Sequence, residues 1–304
     1  MVLLAATAAP VDIGIAVEPV DVVEGSVLGL EVRIESQRDL VVRGGEVALV
    51  TRVAYKHREG NVLGGSSTKV VRRTDVHAVH PVPGPWPLPT SDPVVLPVRI
   101  AVPATGPGTA HSELVDIAWA ARVRLQVQGH LVAEASRTFV VRSRAASEAG
   151  RRHSEPVLSK RSPADLRIVD LSTRSLGPGS PVTGTLVIGA LRPFPVRGVR
   201  LALVLRQQVH HGQWHVDDPT RNPANEDKDQ DTELVVANLA GPLDLDPGTP
   251  MRIPFRLVAP LELPAPSLST PHFRLGWLLR AVLDRPLRPD PFTEVDLHVR
   301  TTLD

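Results

Sequence analysis

The two halves of the sequence repeat one another at a nearly constant spacing. The matched pairs are Gly25 with Gly179, Arg43 with Arg197, Leu96–Pro103 with Ile253–Pro260, and Trp119 with Trp277. The offset is 154 residues for the first two pairs, 157 for the third and 158 for the last. Such a small drift is typical of a duplicated domain whose loops differ slightly in length. The sequence therefore predicts two copies of one fold.

Apolar residues alternate with polar ones over most of each half. Ile117–Val127 is the longest such segment in the first half, and Phe273–Leu283 is its counterpart. Alternation with period two predicts β-strands, and no window shows a sustained helical period. The 30 prolines and 22 glycines suit a chain with many turns. We therefore expect an all-β fold with two tandem antiparallel β-sandwich domains, immunoglobulin-like or arrestin-like, joined by a short linker.

Local patterns give four more specific expectations. Trp119 and Trp277 each continue an apolar alternation, so both are predicted to lie in a core. Arg43–Gly45 predicts a turn that leads into the third strand. Tyr55–Arg58 is interpreted as the charged end of a hairpin. His80–Pro93 contains six prolines, which predicts an irregular loop because a central strand does not tolerate them.

The polar segment between the halves is predicted to be the linker. It gives an N-terminal sandwich over 1–145, a basic and polar linker over 146–163, and a C-terminal sandwich over 164–304. Cations of this region are candidates for contact with a partner, since arginines bind acidic or phosphorylated groups in bidentate fashion. These candidate partner-binding residues are Arg142, Arg144, Arg151, Arg152, Lys160 and Arg161. The alternative is that the charges simply keep the linker solvated.

Composition excludes several classes of function. Lys and Arg total 34 and Asp and Glu total 33, so no overall field exists that would attract nucleic acid or a membrane surface. No apolar stretch reaches the ~18 residues that a membrane span needs. The chain has no cysteine, which excludes disulfides and thiolate chemistry and favours a reducing compartment. Met1–Pro10 lacks the basic start of a signal peptide, so we expect a cytoplasmic protein.

Catalytic motifs are missing from the sequence. Neither a G-x-S-x-G elbow nor a phosphate-binding or dinucleotide-binding glycine motif occurs. His77, His111 and His272 are isolated in the sequence and show no recognisable spacing to a partner. The sequence therefore predicts no catalytic residue, no enzymatic activity and no cofactor.

One histidine cluster is a candidate zinc site. His210, His211 and His215 are followed by Asp217 and Asp218, and histidine and carboxylate are good zinc ligands. Adjacent residues on a strand point to opposite faces, however, so the first two histidines would not readily share an ion. A solvated hairpin tip is the favoured interpretation, and no metal site is predicted here.

An acidic segment resembles the beginning of a calcium loop. Asp227, Asp229 and Asp231 stand at alternate positions. Such a loop needs glycine at its sixth position and a bidentate glutamate at its twelfth, where this chain has Thr232 and Asn238. The segment is therefore interpreted as an acidic flexible loop.

The repeated motifs point to a known family. Each half has a glycine that opens the second strand, an Arg-Gly pair (at Arg43 and Arg197), an apolar-proline strand and an aromatic strand (at Trp119 and Trp277). This order resembles the arrestin-like fold over residues 10–304, and it is similar to the short bacterial members related to sporulation-control proteins. The resemblance implies two hinged β-sandwiches that act as an adaptor or regulatory scaffold. The chain has no Pro-Pro-x-Tyr motif, so recruitment of a ubiquitin ligase is not implied.

These observations lead to a functional hypothesis and two alternatives. We expect a non-enzymatic adaptor that binds a protein partner through edge strands, the concave faces of its lobes and the linker. Pairing of an edge strand with a second copy, giving a homodimer, is part of this expectation. The first alternative is a cell-surface tandem immunoglobulin-like module for adhesion or carbohydrate binding, against which the aromatic content of 3% counts. The second is a calcium- or zinc-modulated regulator that uses residues 210–231.

Overall fold

The structure is a computed structural model that describes residues 10–60, 66–90, 92–129, 131–144, 164–209, 228–248 and 250–302. Every regular element within these ranges is a β-strand, which confirms the predicted all-β class. The described residues form two compact units. The first unit contains the chain up to Ala54, with Arg72–His111 and Asp116–Ser143. The second contains the chain from Arg144 onward, with Tyr55–Val71 and Ser112–Val115.

The first sequence repeat supplies ten strands. They are β1 (Val11–Glu18), β2 (Asp21–Val23), β3 (Val27–Ser36), β4 (Leu40–Gly60), β5 (Ser66–Val82), β6 (Trp86–Leu88), β7 (Val94–Ala101), β8 (Ala110–His111), β9 (Val115–Val127) and β10 (Leu131–Arg142). One sheet has the order β1-β3-β7. The other has the order β2-β10-β9-β4-β5, and β6 and β8 join it by pairing with β4 and β9.

The core of the first unit is formed by the facing sides of these two sheets. Leu30 and Val32 of the smaller sheet belong to the same buried cluster as Leu49 and Trp119 of the larger one. Residues two apart on a strand point to the same face, so the alternating apolar positions of β3, and those of β9 from Trp119 to Val127, enter this cluster. The arrangement is a β-sandwich.

The second sequence repeat supplies eleven strands. They are β11 (Ala164–Val169), β12 (Ser175–Leu176), β13 (Pro181–Ala190), β14 (Phe194–Val196), β15 (Gly198–Val209), β16 (Lys228–Ala240), β17 (Leu243–Leu245), β18 (Met251–Val258), β19 (Leu268–Ser269), β20 (Phe273–Asp284) and β21 (Phe292–Val299). Their sheets have the orders β11-β13-β18 and β12-β21-β20-β15-β16, with β19 beside β20. A small third sheet pairs β14 with β17.

The two repeats share one topology, which confirms the duplication predicted from sequence. In each, the short second strand pairs in parallel with the last strand, β2 with β10 and β12 with β21. Both predicted core tryptophans are buried. The Trp119 Nε1–H donates to the Pro107 carbonyl at 2.7 Å, and the Trp277 Nε1–H donates to the Ala265 carbonyl at 3.2 Å. Each acceptor lies twelve residues before its tryptophan, so the duplication extends to side-chain hydrogen bonds.

The same tight turn precedes the second long strand in both repeats. Gly25 and Gly179 adopt φ values of 78° and 68°, in the left-handed region that favours glycine. The serine after each glycine donates its backbone N–H to the carbonyl three residues earlier, at 3.0 Å and 3.1 Å. The recurrence of this Gly-Ser pair in both halves of the chain therefore reflects a backbone requirement.

The predicted loop over His80–Pro93 is partly wrong. Strand β5 continues to Val82, and Trp86–Leu88 forms β6, which pairs with Leu40–Val42 at the beginning of β4. Proline is tolerated here because β6 is a short strand at the edge of the sheet. An edge strand pairs on one side only, so a proline N that faces the other side, without a hydrogen to donate, breaks no hydrogen bond of the sheet.

The predicted turn at Arg43–Gly45 is also wrong, because β4 runs without interruption from Leu40 to Gly60. Gly45 instead allows two neighbouring strands to pack closely. A Cβ atom on Gly45 would lie 2.2 Å from the backbone oxygen of Arg124 on the neighbouring strand β9. The two backbones approach so closely that no side chain fits between them.

Candidate functional site

A network of four charged side chains crosses the larger sheet of the second unit. Arg206 on β15 lies opposite Asp231 on β16, and Arg280 on β20 lies opposite Glu294 on β21. Because these strands are adjacent in the order β21-β20-β15-β16, the four side chains meet on one face. The strand register creates this cluster from residues that are far apart in sequence.

Bidentate contacts hold the network together. Arg206 donates to both carboxylate oxygens of Asp231 at 2.9 Å and 3.0 Å, and to both oxygens of Glu294 at 3.0 Å and 2.9 Å. The Arg280 Nε–H donates to Glu294 Oε1 at 2.7 Å, and a second nitrogen of Arg280 contacts Asp231. Each guanidinium therefore touches both carboxylates, which is the geometry of strong charge-assisted hydrogen bonds.

The ionisation of the network follows from these contacts. Burial alone would raise the pKa of Asp231, but hydrogen bonds from Arg206 and Arg280 outweigh it and hold that pKa below its ordinary value. The hydrogen bond to Asp231 raises the pKa of Arg206. Burial alone would lower the pKa of Arg280, and its bonds to Asp231 and Glu294 raise it instead. Each of these three pKa shifts favours the charged form of its group, so Asp231, Arg206 and Arg280 stay ionised at neutral pH.

The interpretation of Asp231 as part of an acidic flexible loop is wrong for residues 228–231. They form the beginning of β16, and Asp231 is engaged by two arginines. Asp227 and the histidine cluster at His210–His215 lie outside the described residues. In the part of the chain that the structure describes, no group of three or more His, Cys, Asp or Glu could hold a metal ion.

Tyr55 and His57, which belong to the segment interpreted as a charged hairpin end, are buried in the second unit, and this corrects the interpretation of these two residues. Tyr55 is 6% exposed and His57 is 4% exposed. The Tyr55 ring stacks on His272 with a centroid distance of 6.0 Å and lies 5.9 Å from the Phe273 ring. A tyrosine surrounded by rings is anchored by packing and does not serve as a solvated tip.

A second anchor lies nearby in the same unit. The Gln207 side chain is 1% exposed, and its Oε1 accepts the backbone N–H of Leu114 at 2.8 Å. Its Nε2 donates to Thr232 Oγ1 at 3.4 Å. A buried amide is costly unless both of its ends are bonded, so this contact specifies one position for the segment around Leu114.

The histidines that lack partners in the sequence have them in the fold. His77 bonds Thr51 Oγ1 at 2.8 Å, and its ring lies 4.6 Å from the Trp119 ring. Burial lowers the pKa of His77. His111 bonds the exposed Asp116 at 2.6 Å. These pairs are formed across strands, so sequence spacing gives no signal for them.

Two of the six predicted partner-binding cations are described by the structure. Arg142 belongs to β10 and not to a linker, and its Nε–H donates to both carboxylate oxygens of Asp21 at 2.8 Å and 2.7 Å. Arg144 lies two residues beyond the end of that strand. The remaining four, together with the predicted linker at 146–163, lie outside the described residues. They are Arg151, Arg152, Lys160 and Arg161.

Strand β5 forms one end of the larger sheet of the first repeat, where it pairs with β4 on one side. In the part that belongs to the first unit, Val76 and Val79 are each 52% exposed. Arg72 and Arg73 are exposed in the same segment, and Asp75 forms an ion pair with Arg73 at 2.6 Å. An edge strand offers backbone donors and acceptors to an added strand. This one also presents apolar side chains and an excess of positive charge.

Comparisons with known proteins find solved structures that are similar to part of the chain. One of them is the crystal structure of Spo0M, a sporulation control protein from Bacillus subtilis, with 17% sequence identity and a TM-score of 0.36. The similarity covers 46% of this chain and 51% of Spo0M, so the chain spans about half of the length of that protein. No protein-family model and no curated protein sequence matches the chain. Among the described residues, no helix has the length and apolar character to cross a membrane.

Proposed function

We propose that this protein is a non-enzymatic adaptor that binds an extended segment of a protein partner along the edge strand β5. The observation that carries the proposal is the exposure of Val76 and Val79 on a strand at the end of its sheet. Added strands obtain affinity from backbone hydrogen bonds and specificity from side chains on alternate positions. An arrestin-like regulatory scaffold in the cytoplasm fits this mode of binding, and its support is the resemblance of the repeated motifs.

The charge of the strand indicates the chemistry of the partner. Within Arg72–Val82, two arginines stand against one carboxylate, and that carboxylate is occupied by Arg73. Val76 and Val79 are three residues apart and so point to opposite faces of the strand. An extended partner segment with β-branched residues on both faces and acidic residues between them would match the valines and the excess positive charge. A second copy of this chain is a weaker match, because its own β5 would place like charges opposite one another.

Selection from a random peptide library tests this proposal and requires no partner to be identified beforehand. We expect the immobilised protein to enrich peptides that are rich in both β-branched and acidic residues. We expect the double variant Val76→Glu, Val79→Glu to bind the selected peptides about tenfold more weakly, because like charges repel across the new strand pair. Fluorescence anisotropy of a labelled peptide measures the change.

A matched control separates edge recognition from general charge effects. Val95 lies on β7, an edge strand of the smaller sheet of the same unit, and is 46% exposed. Val95→Glu should leave the affinity for the selected peptides within about twofold of the original value, since surface changes away from a contact have small effects. Equal weakening by both variants, or none by either, would contradict the assignment to β5.

The linker cations provide a second contact in this proposal. Replacing Arg151, Arg152, Lys160 and Arg161 with glutamine should weaken capture of an acidic or phosphorylated partner and flatten its salt dependence. Capture from a lysate at low and moderate salt, beside the unaltered protein, measures both effects. If every captured protein is retained at both salt concentrations, the linker serves only as a solvated connection.

A cell-surface adhesion or carbohydrate-binding module is the second candidate function. Trp86 is half-buried and its Nε1–H donates to the Pro83 carbonyl at 3.1 Å, so it does not stand out as a flat aromatic platform for a sugar. Recovery of the protein in the wall or secreted fraction would favour this candidate over the cytoplasmic adaptor.

A further inference from the structure

The duplication makes it possible to compare the charged network of the second unit with its equivalent in the first. The repeat offsets relate Arg206 to Arg52, which is 154 residues earlier, and Arg280 to Arg122, which is 158 residues earlier. The strand registers agree, because Ser136 lies opposite Arg122 on β10 and β9 just as Glu294 lies opposite Arg280 on β21 and β20. Both arginines are thus retained in the first unit, while serine replaces the glutamate between them.

The loss of this carboxylate leaves the arginines of the first unit incompletely bonded. An Arg52 guanidinium nitrogen donates to Ser136 Oγ at 2.8 Å. The Nε atom of Arg122 is buried and has no hydrogen-bond partner among the described residues. The equivalent Nε of Arg280 donates to Glu294. Because a serine side chain is two bonds shorter than a glutamate, Ser136 reaches Arg52 and leaves the Nε–H of Arg122 without an acceptor among the described residues.

We propose that Arg52, Arg122 and Ser136 form a binding site for a carboxylate group supplied by a ligand or partner. The carboxylate occupies the place that Glu294 fills in the second unit, and it accepts hydrogen bonds from both guanidinium groups. Ser136 then donates its hydroxyl to one of the carboxylate oxygens. Arg52 and Ser136 are both exposed and the Arg122 side chain is 21% exposed, so the carboxylate approaches from the side of Arg52 and Ser136. It reaches the buried Arg122 Nε–H by replacing the hydrogen bond between Arg52 and Ser136.

The local charge selects a carboxylate over a phosphate. Glu46 lies 3.7 Å from an Arg122 nitrogen, too far for a hydrogen bond but close enough to offset one positive charge. Two arginines and one glutamate leave a single excess positive charge, which matches a monoanion. A phosphate group carries a charge of about −1.5 to −2 at neutral pH and would be repelled by Glu46. The second unit also shows that this pair of arginines accommodates a planar two-oxygen acceptor.

Acetate is the probe for this site, and the signal of the Arg122 Nε–H in a nitrogen-15 NMR spectrum reports its binding. We expect a saturable shift of this signal on addition of acetate, with chloride at the same ionic strength giving none. The Arg280 Nε–H is an internal control, because Glu294 already occupies its site. The proposal does not depend on recognition by β5, since it concerns a small free anion.

Two variants test the assignment to these residues. Ser136→Glu restores the carboxylate of the second unit, so the Arg122 signal should be shifted from the outset and should no longer respond to acetate. Arg52→Gln keeps Arg122 but removes the second charged donor, and it should weaken acetate binding about tenfold. An unchanged backbone amide spectrum elsewhere shows that each variant is folded.

Three results would overturn the proposal. The first is an Arg122 signal that does not respond to acetate in the unaltered protein. The second is an equal response in Ser136→Glu, which would place the anion elsewhere. The third is saturation by inorganic phosphate at a lower concentration than by acetate, which would contradict selection of a carboxylate.

Discussion

Replacing Trp119 with alanine is expected to lower the free energy of unfolding of the first unit by about 4 kcal/mol. The Trp119 side chain is fully buried, and its ring lies 4.6 Å from the His77 ring and 6.2 Å from the Phe139 ring. Removal leaves a cavity that these neighbours fill only in part. It also leaves the Pro107 carbonyl without the donor that bonds it at 2.7 Å.

Denaturant unfolding followed by circular dichroism measures this effect, with Trp86→Ala as the matched control. Trp86 is half-buried on the short strand β6, so its removal should cost no more than about half as much. Trp119→Phe keeps most of the ring but loses the indole donor, and an intermediate loss of about 1–3 kcal/mol is expected. A loss below about 1.5 kcal/mol for Trp119→Ala would show that Trp119 is not a central part of the core.

The features predicted correctly from sequence are those encoded by short-range alternation and by the repeat. Trp119 and Trp277 continue an apolar period of two, and each half aligns with the other at offsets of 154 to 158 residues. The alternation depends on the geometry of a single strand. The repeated Gly25 and Gly179 depend on the geometry of a single turn, in which glycine adopts a left-handed conformation. Fold class and core positions could therefore be deduced without knowing which strands are neighbours.

The features missed from sequence depend on strand neighbours and register. Arg206 and Asp231 are 25 residues apart, and Arg280 is 49 residues from Asp231, so no local pattern joins them. Tyr55 looks like a solvated hairpin end because its neighbours are charged, yet it is buried against the rings of His272 and Phe273. Burial that is supplied by a distant part of the chain leaves no trace in the sequence around the buried residue.

Replacing Glu294 with glutamine is expected to lower the free energy of unfolding of the second unit by about 3–5 kcal/mol. The Glu294 side chain is 9% exposed and accepts hydrogen bonds from both Arg206 and Arg280. Without the negative charge of Glu294, two partly buried guanidinium groups share the single negative charge of Asp231. The free-energy cost of removing the second guanidinium from water is then no longer offset.

An exposed ion pair gives the matched control for this substitution. Glu35 contacts Arg33 at 2.6 Å, but both side chains are more than half exposed. Glu35→Gln should therefore change the free energy of unfolding by less than about 1 kcal/mol, because solvent screens the pair. Similar losses for the two variants would mean that the four-charge network contributes no more than an ordinary surface pair.

Acid unfolding tests the same network through the ionisation of Asp231. Its pKa in the folded state lies below its ordinary value, because hydrogen bonds from Arg206 and Arg280 outweigh the effect of burial. The stabilisation is therefore fully present above the unfolded-state pKa of about 3.9 and is lost as the pH falls through the folded-state pKa. In Asp231→Asn, the stability of the second unit should be lower at neutral pH and should change less with pH below about 4. Parallel pH profiles for Asp231→Asn and the unaltered protein would show that the ionisation of Asp231 does not stabilise this sheet.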